Sequence, residues 1–161
     1  MPLSKLREFL DRNQIKYLVI SHSVAYTAQG IAALTHTKGK ELAKTVMVMV
    51  DGRLVMAVVP ASFRVDLYRL KKYLGADTVE LASEAEFRGR FPDCETGSMP
   101  PFGNLYGMDV FADENLADDK EIAFNAGTHR ELVRMSFADF ERLANPVLIP
   151  LAAHHAAVSV A

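Results

Sequence analysis

A single mixed α/β domain of about seven strands and five helices is the fold this sequence predicts, and three observations carry it. The chain has 161 residues, about one domain, and half of them are hydrophobic, so it can bury a substantial core. Segments with helical spacing alternate with short β-branched, aromatic-rich runs, without an internal repeat, a low-complexity linker or a domain boundary. Near the middle, two apolar runs flank Asp51-Gly52, a pair that favours a type I′ hairpin.

The elements follow in order. Ser4 can cap a helix over Lys5–Arg12, in which Leu6, Phe9 and Leu10 share a face at i, i+3, i+4 spacing. Tyr17–Ser21 reads as a short strand, and Thr27 opens a helix over Ala28–Leu34 that ends before the Lys38-Gly39-Lys40 turn. The hairpin strands Lys44–Val50 and Arg53–Val59 are apolar at odd and even positions alike, which places them in the interior, covered on both faces. Asp66 caps a helix through Leu74 with Gly75 as its stop, and Thr78–Leu81 is another short strand. Ser83 and Glu86 form a capping box for a helix that ends near Arg90, before Pro92. Gly97-Ser98-Met99-Pro100-Pro101-Phe102-Gly103-Asn104 has neither period and reads as an irregular loop. Strand-like runs resume at Tyr106–Ala112, Glu121–Asn125 and Glu131–Met135, and Ser136 with Asp139 opens a last helix to Ala144. No charged side chain follows Arg142, but Pro146, Pro150, His154 and His155 break that stretch too often for a membrane span. A 146–161 tail packed on its own domain or on a partner is expected.

Composition narrows the function. Lysine and arginine number 18 against 20 acidic residues, a formal charge of −2, which offers no basic excess for gripping duplex nucleic acid. The N-terminus has no secretory signal pattern, and the single cysteine, Cys94, excludes an internal disulfide, so the expected compartment is the cytoplasm. Phosphate-binding Gly-Lys-Ser/Thr loops, GxGxxG, HExxH and GxSxG are all missing from the sequence. Asp113, Asn115, Asp118 and Asp119 lack the glycine and distal glutamate of a calcium loop and read as a solvated turn. Cys94 lies between Asp93 and Glu95, whose charges oppose thiolate formation, and adjacent His154 and His155 diverge in any regular element. No metal and no cofactor is expected.

Three points remain. Lys44 opens an almost wholly apolar strand, where its ammonium either reaches a pocket mouth or snorkels to water. The Gly97–Gly103 loop either aims fixed backbone N–H groups at a ligand or is a rigid connector. His22 and His129 each sit at an element end and serve either structure or chemistry. Lys44, the loop and the His129 turn could converge on one site.

At these residues the sequence resembles the YbaK/ProX family of bacterial aminoacyl-tRNA deacylases, related to the editing domain inserted in many bacterial prolyl-tRNA synthetases. The similarity spans Leu6 to Leu143 and rests on His22–Ala33 (HSVAYTAQGIAA), Ala43-Lys44-Thr45-Val46, Gly97–Gly103 (GSMPPFG) and Glu121–His129 (EIAFNAGTH). It implies a mixed sheet curled into a barrel-like core with helices around it, and hydrolysis of the ester of a wrongly charged tRNA, such as tRNA-Pro carrying a small amino acid. It implies that Lys44 contacts the terminal adenosine region and that the backbone of Gly97 and Ser98 positions water and the oxyanion. The implied substrate-binding positions are His22, Tyr26, Thr45, Met99, Pro100, Pro101, Phe102, Asn125, Thr128 and His129, with His129 serving either selection or proton transfer. A small pocket near Phe102, Met99 and His22 would select a short side chain. Without a covalent nucleophile, the expected mechanism is direct attack by water. The chain leaves no room for a synthetase body, so the expectation is action in trans on the acceptor end, with Lys38, Lys40 and Lys44 as a local patch or with a synthetase or elongation factor as partner, and with neither membrane nor DNA. A non-catalytic binding module of the same fold is the alternative, and a small-ester or thioester hydrolase using Cys94 or Ser98 is a third reading that lacks its base.

Overall fold

The computed structural model describes residues 2–23 and 41–153, and the predicted Ala28–Leu34 helix, Tyr26, Lys38, Lys40, His154 and His155 lie outside them. Helix α1 (Pro2–Arg12) turns Leu6 and Leu10 fully into the core. Each such leucine contributes about 1.5–3 kcal/mol by leaving water. Ser4 is not its cap: the helix starts at Pro2, a residue whose fixed φ and missing N–H suit a first turn. Strand β1 (Tyr17–Ser21) matches the sequence reading.

The central hairpin forms as read. Strands β2 (Ala43–Val50) and β3 (Arg53–Pro60) pair antiparallel from Ala43↔Pro60 to Val50↔Arg53. Asp51 and Gly52 have φ of 48° and 80°, the two positive values that a type I′ turn requires. Along β3 the side chains alternate between two cores. Leu54, Met56 and Val58 face the main one, and Val55, Ala57 and Val59 face a second, shared with Val65, Leu70, Phe111, Ile149 and Leu151. Two buried faces explain why this run shows no polar alternation.

After β4 (Arg64–Val65) comes α2 (Leu67–Leu74), capped by Asp66, whose carboxylate accepts the Arg69 N–H, and ended by Gly75. Strand β5 (Val79–Leu81) precedes α3 (Glu84–Phe87), where the Ser83–Glu86 capping box is present and a 3-10 turn continues to Arg90. Strand β6 (Val110–Asp113) is shorter than the predicted Tyr106–Ala112 run. Gly103–Leu105 forms a 3-10 turn and the Met108 N–H returns to the Gly103 carbonyl, so the segment before Val110 folds back on itself. Strands β7 (Glu121–Asn125) and β8 (Glu131–Ser136) lead to α4 (Phe137–Ala144), capped by Ser136.

The sequence reading passed over β4, β9 (Val147–Ile149) and β10 (Ala152–Ala153). Elements of two or three residues show no period. Their cohesion is tertiary: the Asp113 carboxylate, 1% exposed, accepts the N–H groups of Leu151 and Ala152 at 2.9 Å through Oδ1 and that of Asn115 at 3.2 Å through Oδ2. Residues 147–153 are therefore bound into the domain through strands and this carboxylate.

The five-stranded sheet has the order β5-β2-β3-β6-β9, with β3-β6 and β6-β9 parallel and the other pairs antiparallel; β1-β8-β7 form a second, antiparallel sheet, and β10-β4 a third. Among the described residues the hydrogen bonding is in these three pieces rather than one closed ring. A parallel bridge between Leu42 and Ala123, with the Ala123 N–H donating to the Glu41 carbonyl, links the two larger sheets.

Candidate active site

That bridge positions the first candidate. Because it is parallel, the chain runs the same way on both sides, and Lys44 and Asn125 each lie two residues beyond it on adjoining strands. Lys44 is half-buried, opposite Val59, and Thr45 beside it is also half-buried. Burial first, and the like charge of Arg64 second, hold the Lys44 ammonium below the usual lysine range. A cation kept partly out of water is poised to meet an anionic partner.

The Gly97 loop is held by a compact set of hydrogen bonds. The Ser98 N–H (3.1 Å) and Oγ (2.7 Å) both donate to the Glu95 carbonyl, the Gly127 N–H donates to the Ser98 carbonyl (2.9 Å), and the Glu95 N–H donates to the Gly127 carbonyl (2.8 Å). Both backbone groups of Ser98 are spent in holding the turn, and its side chain is fully buried. The N–H groups of Gly97 and Met99 have no such bond among the described residues. Gly97 has φ of 87°, a left-handed conformation that favours glycine, and a side chain there would touch the His129 ring, 3.6 Å away.

His129 is clasped from the loop side. Its N–H donates to Glu95 Oε1 at 2.6 Å, and its Nε2 lies 2.8 Å from the Thr96 carbonyl. A carbonyl only accepts, so Nε2 carries the proton, and Nδ1 alone could present a lone pair on the neutral ring. Thr128 Oγ1 donates to Glu131 Oε1 and accepts from the Arg130 N–H, which closes the turn on its other side. The His22 N–H donates to the Arg130 carbonyl, and its Nδ1 faces the Ser23 carbonyl at 2.6 Å. Among the described residues, His22 Nε2 and Asn125 Oδ1 are buried atoms without a hydrogen-bond partner, an arrangement that a bound polar ligand would relieve.

The remaining loop residues face inward. Pro100 and Pro101 are buried, and Phe102 is completely so, its ring 5.8, 5.6 and 5.5 Å from those of Phe9, Phe124 and Phe140 in edge-to-face contacts. Phe102 is thus the anchor of the loop in the core, its ring packed among phenylalanines. Met99 is buried as well but also lines a cleft of about 220 Å³ with Phe87, Arg88, Phe91, Pro92, Cys94 and Thr96. In that cleft the Cys94 thiol is pushed up to about 11, by burial before the charge of Asp93. The direction agrees with the sequence reading; the main cause is desolvation. Glu95, which ties the loop to the His129 turn, gave no signal in the sequence beyond its charge.

A sequence profile of the aminoacyl-tRNA editing domain matches residues 22–143. The chain belongs to this family. An editing-domain relative, the multifunctional Ser/Thr-tRNA deacylase ProXp-y of Escherichia coli (strain K12), is 29% identical over 150 residues, covering 90% of this chain and 89% of that protein. A proline–tRNA ligase of Leuconostoc citreum (strain KM20) is 31% identical over 105 residues, which are 65% of this chain and 18% of the ligase. The fold is shared with a solved structure described as a candidate trans-editing enzyme for prolyl tRNA synthetase, with a TM-score of 0.81, 19% identity, and coverage of 94% and 97% of the two chains. The matched span holds Lys44, the Gly97 loop and the His129 turn together. Among the described residues of this editing domain no helix is long and apolar enough to cross a membrane, and no cluster of three His, Cys, Asp or Glu could hold a metal ion.

Proposed function

We infer that this editing domain is a freestanding aminoacyl-tRNA deacylase acting in trans, which hydrolyses the ester of a mischarged tRNA, tRNA-Pro or a similar tRNA carrying a small amino acid. The observation that carries the reading is the Gly97 loop, where among the described residues the N–H groups of left-handed Gly97 and of Met99 are unspent, beside the His129 ring. Water attacks the ester carbonyl, and the N–H groups of Gly97 and Met99 stabilise the resulting oxyanion; one such donor is worth about 10²–10³ in rate. The ribose oxygen leaves with a proton, giving a free amino acid and an uncharged tRNA end.

Lys44 supplies the cation for the terminal nucleotide, and Asn125 Oδ1 and His22 Nε2, unpartnered among the described residues, are offered to the same end of the substrate. His129 serves selection: its Nε2 proton is committed to Thr96 and its ring closes over Gly97. Ser98 acts through loop geometry, since its own groups are engaged. Thr45, Met99, Pro100, Pro101, Phe102 and Thr128 shape or support this wall. With a chain charge of −2, the grip on the tRNA body is weak and falls to local contacts or to a synthetase or elongation factor.

The test follows deacylation of tRNA-Pro carrying Ala, Ser, Cys, Thr or Pro. Turnover of at least one small aminoacyl ester is expected, with kcat/KM at least about tenfold lower in Lys44→Ala, or ~1.4 kcal/mol of transition-state stabilisation. Saturable tRNA binding without turnover of any ester would overturn the reading in favour of a binding module.

A further inference from the structure

We propose that Glu95 is a positioning residue of the deacylation site, its carboxylate strapping the His129 turn to the Gly97–Pro101 loop and so setting the gap in which the aminoacyl group is measured. The inference rests on the deacylase reading above. Glu95 makes contacts of two kinds. Its backbone takes the Ser98 N–H and Oγ, which folds the loop, and gives its own N–H to the Gly127 carbonyl, a backbone tie to the His129 turn. Its side chain does something separate, reaching 34 residues along the chain to accept the His129 N–H at 2.6 Å.

A carboxylate acceptor makes such a bond shorter and about twice as strong as a neutral one. The His129 ring also reaches the loop strand, through Nε2 to the Thr96 carbonyl, and two residues earlier Gly127 exchanges backbone bonds with Ser98 and Glu95. With both in place the residue is held by its backbone and by its ring tip beside Gly97, where an added Cβ would lie 3.6 Å from the ring. Without the carboxylate the His129 backbone loses its charged acceptor, and the ring bond and the Gly127 bonds are left to hold the turn against the loop. The turn itself survives, because Thr128, Arg130 and Glu131 hold it from the far side, and the loop survives on its backbone bonds. Loss of the side chain therefore loosens the His129 backbone and ring against Gly97, while the turn and the loop stay intact and joined at Gly127. A shift of about 1 Å in a positioned group can cost up to 10²-fold in rate, and a widened gap costs most in discrimination between acyl groups.

Wild type, Glu95→Gln and Glu95→Ala are compared by kcat and KM on tRNA-Pro carrying Ala, Ser or Thr, by amide exchange at His129, and by thermal unfolding. In Glu95→Ala the His129 amide is expected to lose about tenfold of its protection, and the ratio of kcat/KM between the best and worst esters to shrink at least about threefold. Glu95→Gln, which keeps an oxygen acceptor, is expected to restore most of both. Unchanged His129 protection in Glu95→Ala overturns the strap whatever the activity. An unchanged ester ratio, or equal losses on every ester that track a fall in Tm, overturns its role in selection. A wild type that deacylates nothing overturns the deacylase reading instead, and the exchange experiment still decides the strap.

Discussion

Replacing Phe102 separates a residue that holds the Gly97 loop from one that touches substrate. The ring is completely buried and meets Phe9, Phe124 and Phe140 edge to face. Truncating a phenylalanine in such surroundings costs about 3–5 kcal/mol, the lost transfer energy plus the cavity left behind. For a domain of this size each kcal/mol lowers Tm by about 2–4 °C, so Phe102→Ala is expected to unfold roughly 6–20 °C below wild type. Phe102→Leu, which refills most of the space and loses mainly the ring pairs at about 0.5–1.5 kcal/mol each, is expected to fall less. The assay is thermal unfolding by circular dichroism paired with deacylation well below both transitions. There the Leu variant should keep its preference among aminoacyl esters, because the side chain it replaces is fully buried in the core. A Leu variant with an unaltered Tm and a changed ester preference would refute the assignment of Phe102 to the core.

Lys44→Met should abolish deacylation yet leave Tm at neutral pH equal to or above wild type. A lysine whose folded pKa is lowered opposes folding while charged, and this penalty fades as pH rises from the lowered folded value through the ordinary unfolded one, so the stability advantage of the Met variant should shrink at alkaline pH; a Tm well below wild type at neutral pH would contradict it. Gly103→Ala places a methyl against the Met108 carbonyl oxygen and 2.7 Å from Val110 Cγ2, and is expected to lose several degrees of Tm, at about 1–3 kcal/mol, by differential scanning calorimetry. Cys94→Ala should retain full deacylation, and the wild-type thiol should resist alkylation at pH 7 and react only as pH approaches its value of about 11. Rapid modification at neutral pH would show that the cleft is more open than its burial implies.

Local chemistry alone determined a good part of this molecule. Asp51-Gly52 specifies its own turn because few residues tolerate two positive φ values in succession, and Asp66, Ser83 and Ser136 specify helix starts because each carries an oxygen that satisfies an orphan N–H. The unbroken apolar run of β3 announced two covered faces before either cover was known. Lys44 and the Gly97 loop also stood out in the sequence, one as a charge among apolar neighbours and the other as a stretch with no period. What these residues face was settled by packing. Phe102 reads in sequence like a pocket wall and is a core anchor, and Ser98 reads like a donor to substrate and spends its donors on Glu95. The strands after Pro146 depend on a carboxylate at Asp113, and the clasp on His129 depends on Glu95, partners 38 and 34 residues away along the chain. Hydrogen bonds across such separations leave no periodic trace in a sequence, because they arise only when the folded core brings two otherwise ordinary polar residues within 3 Å of a backbone amide.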